Sequence, residues 1–409
     1  AGHRLLLHSA DRRNMANDLL QQGSNPWRVA DKVLKGERSL TLPLVINGKA
    51  LETDEEKAEA MNDFFIQKVS NLRKRVDSTK SENPYDRLRK KVAGKNMNFN
   101  VRPLNVKDVE KILKKIKRSR SCGLDGISSE AIRPVCEIVA PVLMCVINSS
   151  LSNGIFPEVY KCAKVICIYK GKGNKSDPNN YRPISNLPLF GKCQEIAMDM
   201  QLREYCEKYD IFGSHQHGFR KARSTSTALL TATTQWRADK SKKYRGVLLF
   251  DLSAAYDVLD GDIFLQKAKI LGITGAALKW LQSYLSNRSQ IVQVNEGQSS
   301  LRYLENGTPQ GSSCSCTVFA MFVGDISLWV NEGFIVAYAD DTFITLEAAT
   351  LEELLAKLER EGERVISFFS SNALVANPSK SALLIFRTTN VNISENRANI
   401  NLCHEKIME

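Results

Sequence analysis

Residues 333–346 are GFIVAYADDTFITL. Two short apolar runs, 333–339 and 342–346, carry the β-branched and aromatic side chains of strands, and Asp340-Asp341 joins them. Asp is depleted inside strands and frequent in turns, so the run predicts a strand–turn–strand with two carboxylates at its tip. A second apolar run, GVLLFD (246–251), starts at Gly246 and ends on Asp251. Taken singly, either acidic site is explained at least as well by an ordinary turn as by chemistry. Taken together, neighbouring strands can deliver Asp251, Asp340 and Asp341 to one place. Three hard oxygen ligands suit a pair of Mg2+ ions, which phosphoryl-transfer enzymes hold ~3.5–4 Å apart.

Working outward, AKVICIYK (163–170) and LLIF (383–386) read as further strands, and 289–307, around Gly297, as a hairpin. Helical spacing of apolar residues predicts helices over 54–75, 105–119, 128–152 and 262–287. Another starts after Thr350, with Glu353 completing a capping box and Leu351, Leu354, Leu355, Leu358, Val365, Ile366 and Phe369 facing inward. Cys122–Gly126 is a Gly-rich turn. The charged run 73–95, with Asn83-Pro84 and Gly94, reads as linker or loop, and the Asn-rich tail after 386 has no pattern. Strands and helices alternate from about residue 163, which argues for an α/β or α+β sheet domain.

The chain has 409 residues, 43% apolar and 25% charged, enough for a full core and for two or three lobes. Its 57 Lys and Arg against 45 Asp and Glu leave a formal charge of +12. That surplus suits a polyanionic partner, nucleic acid or an anionic membrane surface, without choosing between them. In the 105–119 helix, Lys107, Lys111, Lys114, Lys115, Lys117 and Arg118 surround the apolar stripe. A solvated face is the commoner explanation of such a run, and a phosphate-facing surface the sharper one. No run of about 18 apolar residues is evident, so no membrane span is expected. The charged N-terminus does not read as a signal peptide. Ten cysteines without a C-x-x-C pair imply reduced, mostly buried thiols, and His215 and His217, lacking partner ligands, read as ordinary loop residues.

Seven segments in order carry a resemblance to a known family: SCGLDGISSEAI (121–132), IYKGKGNKSDPNNYRPISNLPLFGKCQE (168–195), QHGFRKARSTSTALL (216–230), FDLSAAYDVLD (250–260), NGTPQGSSCSCTVF (306–319), YADDT (338–342) and NALVANPSKSALLIF (372–386). YADDT alone is weakly specific, and the seven together are strongly so. The sequence resembles the reverse transcriptase of non-LTR (LINE-type) retrotransposons from about residue 25 to about residue 388.

The implied fold class is α/β (α+β): a right-hand polymerase fold whose palm sheet is flanked by helices and joined to a fingers subdomain, with the thumb largely absent. The implied division is a helical leader or linker over 1–103, fingers with the first palm elements over 104–245, palm over 246–388 and a truncated tail over 389–409. The resemblance implies that Asp251, Asp340 and Asp341 bind two Mg2+ ions, for which Mn2+ substitutes. Lys170 and Arg182 would clamp the incoming triphosphate, Arg by bidentate geometry and Lys as a point charge. Tyr256 would pack beneath the sugar and exclude a ribose 2′-hydroxyl, a role compatible with that of a core Tyr. Gln310 and Gly311 would meet the nucleotide or template, although a plain turn explains Pro-Gln-Gly almost as well. Lys380 would stand near the leaving pyrophosphate as a proton donor.

The implied partners are an RNA template, a DNA primer and deoxynucleoside triphosphates, with no membrane and no obligate protein partner. The implied location is the nucleus and cytoplasm, in association with ribonucleoprotein. The chain departs from the family pattern at Gly261, Cys316, Phe368 and Ser381, none of which is expected to touch a metal or triphosphate group. It stops about 20 residues past the last segment, before the family's thumb. Two alternatives stand beside an active polymerase: a silent, truncated nucleic-acid-binding remnant, and an intron-encoded maturase reverse transcriptase.

Overall fold

The computed structural model describes residues 44–46, 49–76, 82–238, 244–377, 380–387, 399–402 and 405–408. In chain order its strands are β1 (Val45–Ile46), β2 (Lys49–Ala50), β3 (Cys162–Tyr169), β4 (Tyr181–Asn186), β5 (Tyr244–Phe250), β6 (Ser289–Val294) and β7 (Gly297–Gln298). They continue with β8 (Arg302–Tyr303), β9 (Phe334–Tyr338), β10 (Asp341–Ala348), β11 (Ala382–Arg387), β12 (Asn399–Leu402) and β13 (Glu405–Met408). Helices alternate with them, so the molecule is a mixed α/β fold.

One sheet has the order β11-β5-β10-β9, with every pair antiparallel. The apolar run of β5 sits in its middle, paired on both sides. The helix Leu351–Ser371 covers one face and buries Leu354, Leu358, Val365, Ile366 and Phe369. Burial of each such side chain stabilises the fold by roughly 1.5–3 kcal/mol. The Thr350 hydroxyl accepts from the Glu353 amide, whereas the Glu353 carboxylate returns to the Ala349 N–H at 3.2 Å. Register then fixes the acidic positions. Thr342 faces Phe250 and Asp341 faces Tyr338, so Ala339-Asp340 is a two-residue connection and Asp251 lies one step beyond the Thr342–Phe250 pair.

The second sheet has the order β4-β3-β6-β7, with β8 also on β6, and β3 runs parallel to β6. Ala58, Met61 and Phe65 of the helix Asp54–Arg73 pack with Val165, Cys167, Val292 and Val294 in a core separate from the main one. A buried amide locks that helix in place. Asn62 donates to Ser299 Oγ (2.8 Å) and the Ser300 carbonyl (3.0 Å) and accepts from Gln290 (2.9 Å). At the helix end Arg73 reaches the Val258 carbonyl (3.1 Å) and Asp260 (2.7 Å).

Three features differ from expectation. The run 73–95 contains a helix, Asp86–Val92, whose Leu88 is buried in the main core. In the Asn-rich tail, β12 and β13 form an antiparallel pair, and Ile400 and Leu402 join the main core; residues 388–398 lie outside the described ones. Ser129–Asn153 is long and apolar enough to cross a membrane by length and composition, against the expectation of no such run. Within it, Ala140, Leu143, Ile147 and Leu151 are buried in the main core. YRPISN forms β4 although it contains Pro183, because β4 is an edge strand, where a missing N–H is tolerated.

Candidate active site

The sheet brings the three carboxylates to one end. Asp340 occupies the connection, Asp341 opens β10 and Asp251 follows β5. Burial raises the pKa of Asp340, and the charges of Asp341 and Asp251 raise it further, against its own backbone N–H and Lys380. Asp341 is raised likewise by burial and then by Asp251. Asp251 is engaged: its Oδ2 accepts from Lys380 Nζ at 3.0 Å and from Asn377 Nδ2 at 3.3 Å. Among the described residues these side chains do not close into a ready-made three-ligand metal cluster. Their chemistry nevertheless fits divalent cations, because hard oxygens in mutual repulsion gain from a shared positive charge.

Beside them lies a cleft of about 610 Å³. Lys170, Arg182, Tyr256, Gln310, Gly311, Asp340 and Lys380 all line it, whereas Asp251 and Asp341 are not on its wall. The Lys170 ammonium donates to the Asn179 carbonyl at 2.5 Å. Burial lowers its pKa, and Lys68, Arg182 and Lys380 lower it further. Four cations thus press on one another across this wall, which is the field a polyphosphate relieves.

Tyr256 enters because Ala254, at φ +50°, reverses the chain into the short helix Ala255–Val258. Its ring stacks on Phe319 (4.6 Å between centroids, 28°) and stands edge-on to Phe219 (6.5 Å). The hydroxyl is buried without a hydrogen-bond partner among the described residues, and burial pushes its pKa well up. Gln310 Nε2 donates to both Asp257 oxygens, at 2.9 and 2.8 Å. Burial pushes Asp257 up to about 6, against the pull of Gln310 and Lys68. Gly311 has φ +120°, and a Cβ there would stand 2.8 Å from the Ser185 carbonyl of β4, so the site admits only glycine. The buried Glu195 carboxylate fixes the end of this turn by accepting from Ser312 Oγ (2.7 Å) and the Ser313 amide (3.0 Å).

The basic helix, which spans Val106–Lys115, and Arg118 just beyond it do not contribute. Lys111 faces Asp108 (3.9 Å), Lys114 pairs with Glu110 (3.4 Å) and Glu137 (3.3 Å), and Arg118 with Glu130 (3.1 Å); none of these cations lines the cleft. The solvated-face reading fits this helix. His215 and His217 are buried, and burial lowers His215 to about 3, so it is neutral.

Lys68, Asp257 and Cys316 line the cleft although sequence reasoning gave them no place there. Cys316, one of the departures from the family pattern, thus stands on the cleft wall. Lys68 did leave a signal. Met61, Phe65 and Leu72 are buried on the same helix, and position 68 shares their spacing, so a cation stands where the apolar stripe predicts a core residue.

A family model described as reverse transcriptase (RNA-dependent DNA polymerase) matches residues 171–397. Similar proteins include the RNA-directed DNA polymerase from mobile element jockey of Drosophila funebris, 27% identical over 63% of this chain and 29% of that protein. The probable RNA-directed DNA polymerase from transposon X-element of Drosophila melanogaster is 24% identical over 83% of this chain and 38% of its own length. A protein in the type-1 retrotransposable element R1DM of the same fly is 28% identical over 68% of this chain and 28% of its own. The chain therefore spans little more than a third, or less, of these relatives. With the family model covering more than half of its residues, this chain belongs to the reverse transcriptase (RNA-dependent DNA polymerase) family.

Proposed function

We propose that the chain supplies the palm and fingers of an RNA-directed DNA polymerase of the LINE type, adding deoxynucleotides to a primer 3′-hydroxyl on an RNA template. The observation that carries this reading is the register that sets Asp251 beside the Asp340-Asp341 turn, at the mouth of a cleft walled by Lys68, Lys170, Arg182 and Lys380. In this reading β11-β5-β10-β9 is the palm sheet, and β3, β4 and the helices before them belong to the fingers.

Asp251, Asp340 and Asp341 would hold two Mg2+ ions, or Mn2+ in their place. When bound, such ions make the primer hydroxyl a better nucleophile and stabilise the leaving pyrophosphate. The chain's own residues do the rest. Lys68, Lys170 and Arg182 receive the triphosphate, Arg182 through its planar fork. Tyr256 sets the floor beneath the sugar, and Gln310, held by Asp257, faces the nucleotide or template together with Gly311. Lys380 gives a proton to the departing pyrophosphate, and its ammonium already sits 3.0 Å from an Asp251 oxygen. The same proposal has the protein reside in the nucleus and cytoplasm, in association with ribonucleoprotein. Incubation of the chain with a DNA primer annealed to RNA, deoxynucleotides and Mg2+ tests the reading. Extension that stops on chelation supports it. No extension despite tight binding of the duplex favours the silent remnant.

A further inference from the structure

Of the seven segments, QHGFRKARSTSTALL (216–230) enters the site described above only through Phe219, yet its first residues lie against the acidic turn. The connection Ala339-Asp340 contains no glycine, and Ala339 sits at φ +58°. A left-handed alanine is strained and persists only where its surroundings over-determine it. Gln216, fully buried, supplies that constraint. Its Oε1 accepts from the Ala339 amide (2.9 Å) and the Gly218 amide (2.8 Å), and its Nε2 donates to the Ala339 carbonyl (3.3 Å).

The backbone around Gln216 runs beside β9 as a short parallel edge. Ala337 donates to the His215 carbonyl (2.9 Å), and His217 donates to the Ala337 carbonyl (2.8 Å). Gly218 is required for the approach, since a Cβ there would stand 2.4 Å from the Ala339 nitrogen. Behind this edge, Arg220 holds the carbonyls of Gly213 (2.6 Å) and Gln216 (3.2 Å) and pairs with Glu207. Arg223 holds those of Ser214 (2.6 Å) and Gln216 (3.1 Å). These two arginines, basic residues in a nucleic-acid enzyme, are spent on backbone carbonyls.

We infer that His215–Gly218 is a splint for the acidic turn, and that Gln216 is a positioning residue that aims Asp340 through Ala339. Its consequence for catalysis rests on the polymerase reading above. Its mechanical part does not, because the two bonds to Ala339 hold the turn whatever the carboxylates do. Displacement of a reacting group by about 1 Å is enough to lose on the order of 100-fold in rate, so a relaxed turn should lower the turnover number more than it weakens RNA binding.

The test uses the full chain with Gln216→Met, which keeps the length and removes all three bonds, and with Gln216→Met/Ala339→Gly, in which glycine takes the positive φ without strain. Hydrogen exchange of the peptide spanning Ala339–Asp341 reports the splint; primer extension and its Mg2+ requirement report the aim. Gln216→Met should exchange about tenfold faster in that peptide, the scale of one lost buried hydrogen bond. It should also turn over roughly 10–100-fold more slowly, with a higher Mg2+ half-saturation and unchanged RNA affinity. The glycine double variant should recover part of both losses. Unchanged exchange in a folded Gln216→Met overturns the inference, and so does faster exchange with wild-type turnover. If Gln216→Met does not fold, the double variant must fold, and its failure counts against the splint equally. A wild-type chain that cannot extend a primer defeats the polymerase reading, and the exchange rates then decide the splint alone.

Discussion

At Tyr256 the structure adds a support that the sequence does not show. A ring stacked on Phe319 has little room to yield, so a substrate group that overlaps it is excluded. Tyr256→Ala should lower the preference for deoxy- over ribonucleotides by roughly 10–200-fold, the range a single steric contact supplies, and Tyr256→Phe should keep it. Incorporation efficiencies of matched ribo- and deoxynucleotides measure this, and an unchanged ratio in an active alanine variant makes Tyr256 a plain core residue. Asp257 carries a different signature. Its carboxyl is raised from the usual 3.8 to about 6, so the folded state binds its proton more tightly than the unfolded chain does. The stabilisation from that proton is complete below about 3.8 and is lost as pH rises through about 6. Denaturant midpoints of the wild-type chain should therefore fall across this window relative to those of Asp257→Asn, and parallel curves would show that Asp257 titrates normally. Asp251, Asp340 and Asp341 were legible because apolar strands ended on them. Asp257 was not: its partner Gln310 lies 53 residues away, and no local spacing announces a pair closed across that distance.

The helix Asp54–Arg73 reads as a leader in the sequence, and its polar composition explains why. Its apolar stripe is narrow, and much of its attachment is polar, through Asn62 to Ser299 and Gln290 and through Arg73 to Asp260. Periodicity finds apolar faces and misses amide networks. In space the helix delivers Lys68 to the cleft, where burial lowers its pKa and Lys380 adds to the effect against Asp257 and Asp177. Lys68→Gln should raise the KM for deoxynucleotides about tenfold or more, the worth of one charge-assisted contact, while the melting temperature stays close to that of the wild type. An unchanged KM would leave Lys68 as a half-buried charge without a substrate role. The Gln216 edge shows the same limit of sequence reading. QHGFR contains no alternation, because its pairing follows the needs of a turn more than 120 residues later.

For the molecule as a whole, the α/β class was readable from the alternation of strands and helices, and the two sheets realise it. The charge surplus was also readable, but not its placement. Lys111 and Lys114 of the helix Val106–Lys115 sit among surface carboxylates, and the cations that line the cleft are Lys68 from Asp54–Arg73, Lys170 and Arg182 at the ends of β3 and β4, and Lys380. Segments separated by more than 300 residues therefore meet at one wall, and only the folded chain shows it. The proposed chemistry needs the three strand-end carboxylates to act as one unit. Single-turnover extension of an RNA-templated primer at saturating Mg2+ should be compared for the wild-type chain, Asp251→Asn, Asp340→Asn and Asp341→Asn, with RNA affinity measured in parallel. Every variant should bind the duplex like the wild type and lose more than about 100-fold in rate, a loss that even groups behind a metal ligand can approach. Any one of the three that binds normally and extends at the wild-type rate would contradict a shared metal site.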